Sequence, residues 1–103
     1  MQDLGTQAEV TIGAEEQSLI FVHSPFCGTC HLAERMLVTL EETFQEELFR
    51  KCNASLNPNF MEKHKVQSVP CLLIATGGEV VDRIYAFHSV PYLYECLSGY
   101  VRK

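Results

Sequence analysis

One stretch narrows the choice of fold more than any other: a short apolar run, a proline, two cysteines two residues apart, and a helical pattern. Ser18 to Ser24 (Ser-Leu-Ile-Phe-Val-His-Ser) reads as a short buried strand. Pro25 ends it, because proline lacks the donor that a sheet ladder needs. Cys27-Gly28-Thr29-Cys30 follows, and a helix is expected from about Gly28 to Phe44 or Gln45. Within it Leu32, Ala33, Met36, Leu37 and Leu40 recur with period 3.6 and share one face. Cys27 and Cys30 at a strand-to-helix junction form a dithiol that can open and close as a disulfide. The helix start gives Cys27 an electropositive neighbourhood, which favours thiolate over thiol. Cys30 lies one turn in, where a thiol stays protonated until it is needed.

Further along, Leu48 to Asn53 reads as a second buried strand, and Asn57-Pro58 opens a short helix over Asn59 to Lys65. Val66-Gln67-Ser68-Val69-Pro70 connects into Cys71 to Ala75, a strand by its apolar run. Gly77-Gly78 is a hairpin turn, and Glu79 to Ile84 alternates as the antiparallel partner strand. Ser89 is placed to cap a last helix, Val90 to Tyr100, with Pro91 in its first turn. Gln7 to Ile12 fits a strand or a short helix, and the period does not decide. An early βαβ unit and a late hairpin imply a mixed sheet: an α/β fold with helices on both faces.

The length of 103 residues suits one domain, 1–103, with residues 1–17 a poorly defined N-terminal segment. An apolar fraction of 47% against 20% charged residues is globular rather than disordered. A net charge of −5 leaves no basic footprint for nucleic acid or an anionic membrane surface. The apolar runs are too short to span a bilayer, and Met1 to Gly5 does not read as the start of a signal peptide. Five cysteines is an odd number, unlike an extracellular disulfide framework. Reduced thiols in the cytoplasm are therefore the expected state, and a monomer the default.

Four landmarks in order make the chain resemble the thioredoxin-like family. They are Phe26-Cys27-Gly28-Thr29-Cys30 after a strand, Lys51 in the next strand, Ser68-Val69-Pro70 before a strand, and Gly77-Gly78-Glu79-Val80 in the hairpin. The resemblance covers roughly residues 18 to 103. It implies a thioredoxin fold and a thiol–disulfide oxidoreductase that reduces protein disulfides or mixed disulfides with small thiols. It implies that Cys27 attacks, that Cys30 resolves the mixed disulfide, and that Pro70 is cis and packs against the dithiol. It places Val69 with its backbone toward a bound substrate strand, and Phe26 beside it in substrate binding. No cofactor is implied beyond the Cys27–Cys30 pair. The implied electron donor is a flavin-containing reductase or a low-molecular-weight thiol.

The chain also departs from that family's pattern. Phe21 stands six residues before Cys27, where family reductases carry a buried aspartate. Lys51 matches the lysine that accompanies this aspartate and is expected to lack a carboxylate partner. The inner dipeptide, Gly28-Thr29, tunes the helix start and so the redox poise. These departures support an alternative, a weakly active or inactive binding module built around Cys27 and Pro70. Cys71 is expected close to the dithiol, as a small core residue or as a third redox thiol. Cys52 and Cys96 read as buried and inert. His31 completes a C-x-x-C-H string, the attachment signal of a c-type haem, but the surrounding landmarks argue for a modulator of Cys27 or an exposed helix residue instead. His23, Cys27, Cys30 and His31 offer the number of ligands zinc takes. Their positions on a strand end and a helix oppose a closed tetrahedron, so no metal is expected. Glu34, Glu41, Glu42, Glu46 and Glu47 read as a solvated face, and His64 and His88 as surface residues.

Overall fold

The computed structural model describes residues 1–101. Strand β2 (Gln17–His23) occupies the centre of a five-stranded sheet, buried from Ser18 to Val22. Its parallel neighbour is β3 (Arg50–Asn53) and its antiparallel neighbour is β4 (Cys71–Thr76). The hairpin partner β5 (Glu79–Ile84) closes one edge, with an irregular register at Ile74/Ala75. A two-residue strand β1 (Gln2–Asp3) closes the other edge, parallel to β3. The order is β1-β3-β2-β4-β5. Gly77 and Gly78 make the β4–β5 turn at φ +62° and +87°, a region open to glycine because it has no Cβ.

Alternation along β2 and β4 sends side chains to opposite faces and creates two cores. On one face Leu19, Phe21, Leu72 and Ile74 pack against helix α2 (Gly28–Phe44) and helix α4 (Val90–Leu97). On the other, Ile20, Val22, Cys52, Cys71 and Leu73 pack against helix α1 (Ala8–Ala14) and helix α3 (Pro58–Lys63). The segment that the period left open is thus helical over Ala8–Ala14, with Ala8 and Ile12 buried. It forms by docking on the sheet: seven residues are too few for a helix to persist alone in water.

Helix α2 has its expected bounds, but its buried face is rotated from the expected one: Leu32 is 49% exposed and Met36 only partly buried. Cys30, Ala33, Leu37, Leu40 and Phe44 are buried at helical spacing. Gln45 ends the helix in the left-handed region, at φ 58°. In α4 the Ser89 hydroxyl accepts the Tyr92 N–H at 3.2 Å, as its capping position implies. That helix ends at Leu97, three residues earlier than expected; Tyr100 and Val101 continue as a turn onto the Leu97 carbonyl. Strand β3 also starts later than expected, because Leu48 and Phe49 donate their N–H groups to the Glu41 carboxylate rather than to a strand. Among the described residues no helix is long and apolar enough to cross a membrane.

Candidate active site

The dithiol sits where β2 hands over to α2. Cys27 is the N-cap of α2, with extended backbone, and its Sγ accepts the Cys30 N–H at 3.2 Å. A sulfur in a capping position receives one of the backbone donors that a helix start leaves unpaired. Thr29 Oγ1 lies 3.4 Å from the same sulfur. Cys27 and Cys30 are joined as a disulfide. The two differ in access: Cys27 is half-buried, whereas Cys30 is 2% exposed and belongs to the α2/α4 core.

Around the disulfide, Gly28, Thr29 and His31 are exposed on the first turn of α2, and Phe26 projects into solvent at 97% exposure. The Val69–Pro70 peptide bond is cis. Pro70 and Thr29 line one shallow depression together with Leu32, Met36, Tyr85 and Phe87. Its lining is mostly apolar and includes Thr29, which lies between the two cysteines in the chain. The four ligands considered for zinc do not assemble: among the described residues no group of three or more His, Cys, Asp or Glu is arranged to hold a metal ion.

Below the disulfide, the structure changes several expectations. Phe21 is fully buried in the core that contains Cys30, stacked on His23 at 5.7 Å and edge-on to Phe87 at 6.0 Å. Lys51 is Phe21's register partner on β3, and it does have a carboxylate: its Nζ donates to Glu34 Oε2 at 3.2 Å. Glu34 reaches it from α2, so this glutamate is part of the site's flank rather than of a solvated face. The pairing was hidden because it joins positions 17 residues apart on two elements. A local signal did exist: Glu34 follows Cys30 by four, one helical turn. His23 sits at the end of β2 with its Nε2 buried and without a hydrogen-bond partner among the described residues. Burial, reinforced by Lys51, holds its pKa below the ordinary histidine value of 6.5.

Cys71 is the small core residue of the two readings, fully buried, and the face it takes is what the sequence did not show. Its side chain belongs to the α1/α3 core with Val22 and Cys52, on the sheet face opposite Cys30. Cys71 is paired opposite Val22, whose side chain lies in the same core, so strand alternation sends its sulfur to that face. Burial pushes the Cys71 thiol up to about 11, against a smaller opposing effect of its hydrogen bond to Tyr85; burial does the same to Cys52, also to about 11. Cys96 is half-buried rather than buried, on α4 one turn beyond Tyr92. His64 is buried, not a surface residue: it packs on Phe60 and its Nε2 lies 2.7 Å from Glu9 Oε1.

Comparison with known proteins decides the family. The family model for Thioredoxin matches residues 6–95. The chain belongs to the thioredoxin family. It is 44% identical over 80 residues to the thioredoxin-like protein YusE of Bacillus subtilis, covering 78% of this chain and 76% of that protein. It is 28% identical over 83 residues to thioredoxin 2 of Chlorobaculum tepidum, covering 80% and 75% of the two chains. The solution structure of oxidised Plasmodium falciparum thioredoxin superposes with a TM-score of 0.83 over 99% of both chains at 17% identity. Crystalline mitochondrial thioredoxin 3 of Saccharomyces cerevisiae gives 0.79 over 96% and 94% at 18% identity. These likenesses establish the thioredoxin fold. A family member with its Cys27–Cys30 pair in place is a thiol–disulfide oxidoreductase, and its redox group is built into the chain.

Proposed function

We propose that the protein works in the reducing direction on protein disulfides or on mixed disulfides with small thiols, with Cys27 attacking and Cys30 resolving. The observation that carries this reading is the asymmetry of the pair: Cys27 is only half-buried at the helix cap, and Cys30 is sealed in the core. Only a thiolate attacks, and a thiolate is favoured at a helix N-terminus. In the first step Cys27 bonds to one substrate sulfur, the substrate S–S bond breaks, and the other substrate sulfur leaves as a thiolate. In the second, Cys30 loses its proton and bonds to Cys27 Sγ, and the remaining substrate sulfur leaves. Two electrons have then passed from the dithiol to the substrate. A reductase or a low-molecular-weight thiol returns them.

The apolar depression beside Pro70 and the exposed Phe26 ring suit an extended, apolar substrate segment, with the Val69 backbone beside it. Gly28, Thr29 and His31, all on the exposed first turn, tune the pair's potential. A single-domain monomer in the cytoplasm, acting without a membrane, is the setting that fits. Turbidimetric insulin reduction by dithiothreitol tests the reading. The wild-type protein accelerates it, and Cys27→Ser abolishes the acceleration. Equal rates for the two proteins would instead make the chain a binding module.

A further inference from the structure

We propose that Glu34, held by Lys51, accepts the Cys30 proton when that buried thiol attacks the mixed disulfide. The inference rests on the dithiol reading above and assigns one of its steps. Cys30 is 2% exposed, so its proton needs a nearby acceptor before the sulfur becomes nucleophilic. Phe21, on the strand beneath, cannot take a proton. Glu34 lies one turn further along the same helix as Cys30, a spacing that brings two side chains to neighbouring positions on the helix surface. Its carboxylate is directed toward β3 by Lys51 Nζ, which binds Oε2 at 3.2 Å. The glutamate side chain is 31% exposed, which gives the proton a route on to water. The carboxylate–lysine pair of this corner is thus formed between α2 and β3.

The step balances. The Cys30 Sγ–Cys27 Sγ bond forms, and the bond from Cys27 Sγ to the substrate sulfur breaks. The substrate sulfur leaves with the electron pair, and the Cys30 proton passes to the Glu34 carboxylate and then to water. The other charged groups of this corner are Lys51 on β3, His23 on β2, Asp3 on β1 and His31 on α2. His23 is the rival acceptor, because its buried Nε2 has no hydrogen-bond partner among the described residues. Glu34 is preferred for its one-turn relation to Cys30 and its pairing with Lys51.

The test loads reduced protein with one thionitrobenzoate at Cys27 and follows its release by stopped flow. Cys27 is loaded with one equivalent of the aromatic disulfide, and release is followed from about pH 5 to about pH 9, a range that brackets a carboxylate or imidazole acting as base. Glu34→Gln is expected to slow release on the order of 100-fold on the acidic side, the low end of what a positioned base contributes. The loading step should keep its rate. Glu34→Asp should recover part of the loss, and Glu34→Gln/Lys51→Met should remain as slow as Glu34→Gln, which excludes an effect of an unpaired lysine. Glu42→Gln, an equal charge change on an exposed turn, should match wild type. Release from Glu34→Gln with wild-type rate and pH profile overturns the proposal. So does a comparable slowing in His23→Phe with Glu34→Gln unaffected. Release that persists in Cys30→Ser removes the dithiol reading itself, and this step with it.

Discussion

The two faces of the sheet carry the same kind of atom in opposite conditions. On the α2/α4 face, Cys27 and Cys30 open a helix, and one sulfur receives a backbone N–H at the cap. On the α1/α3 face, Cys52 and Cys71 lie inside strands, walled by Ile20, Val22, Leu73 and Phe60. Their backbone donors and acceptors belong to the sheet ladder, and nothing there offsets the cost of burying a thiolate. Reactivity in this chain is therefore a property of backbone position more than of residue type. The polar groups divide in the same way. The lysine–glutamate pair joins β3 to α2, the helix that the dithiol opens, whereas the pairing of His64 with Glu9 ties the end of α3 to α1 on the other face.

The largest effect that separates the faces is chemical. After reduction, brief treatment with iodoacetamide at neutral pH followed by peptide mass mapping should label Cys27 and spare Cys52 and Cys71. Thiols pushed up to about 11 keep only about one part in 10⁴ as thiolate at pH 7. Labelling of Cys71 as fast as Cys27 would end the comparison.

A second test concerns stability. Leu37, fully buried on α2, should lose about 3 kcal/mol on truncation to alanine, through lost burial and the cavity left behind. Cys71→Ala removes one sulfur from the other core and should cost only about 1 kcal/mol, a typical single-site loss. Insulin reduction should persist in Cys71→Ala. Urea denaturation measures both losses, and a larger loss at Cys71 would make the α1/α3 core the more demanding one.

The smallest effect sharpens the boundary between the regions. His23 has its folded-state pKa lowered by burial and by Lys51. The unfolded chain therefore binds the proton more readily, and folding stability should fall as pH drops below about 6.5, then level off below the folded-state value. His23→Phe keeps an aromatic ring against Phe21 and should remove that decline. Thermal melts between neutral and mildly acidic pH would show it, and an unchanged slope would place the acid sensitivity elsewhere.

Much of this architecture was legible along the chain because its signals are local. Period-3.6 burial marks α2, Pro25 the end of β2, Ser89 the cap of α4, and Gly77-Gly78 the hairpin, each within a few residues of its effect. The Cys27–Cys30 pair was legible for the same reason: its spacing is one helical turn. Three features took their form only from tertiary structure. Helix α1 needed the sheet to dock on, since seven residues do not hold a helix alone. The face taken by the Cys71 thiol followed from its pairing opposite Val22. The partner of Lys51 was decided by how α2 lies across β2 and β3. Side-chain partners across elements depend on register and helix placement, and these are set when the cores pack rather than by any neighbouring residue.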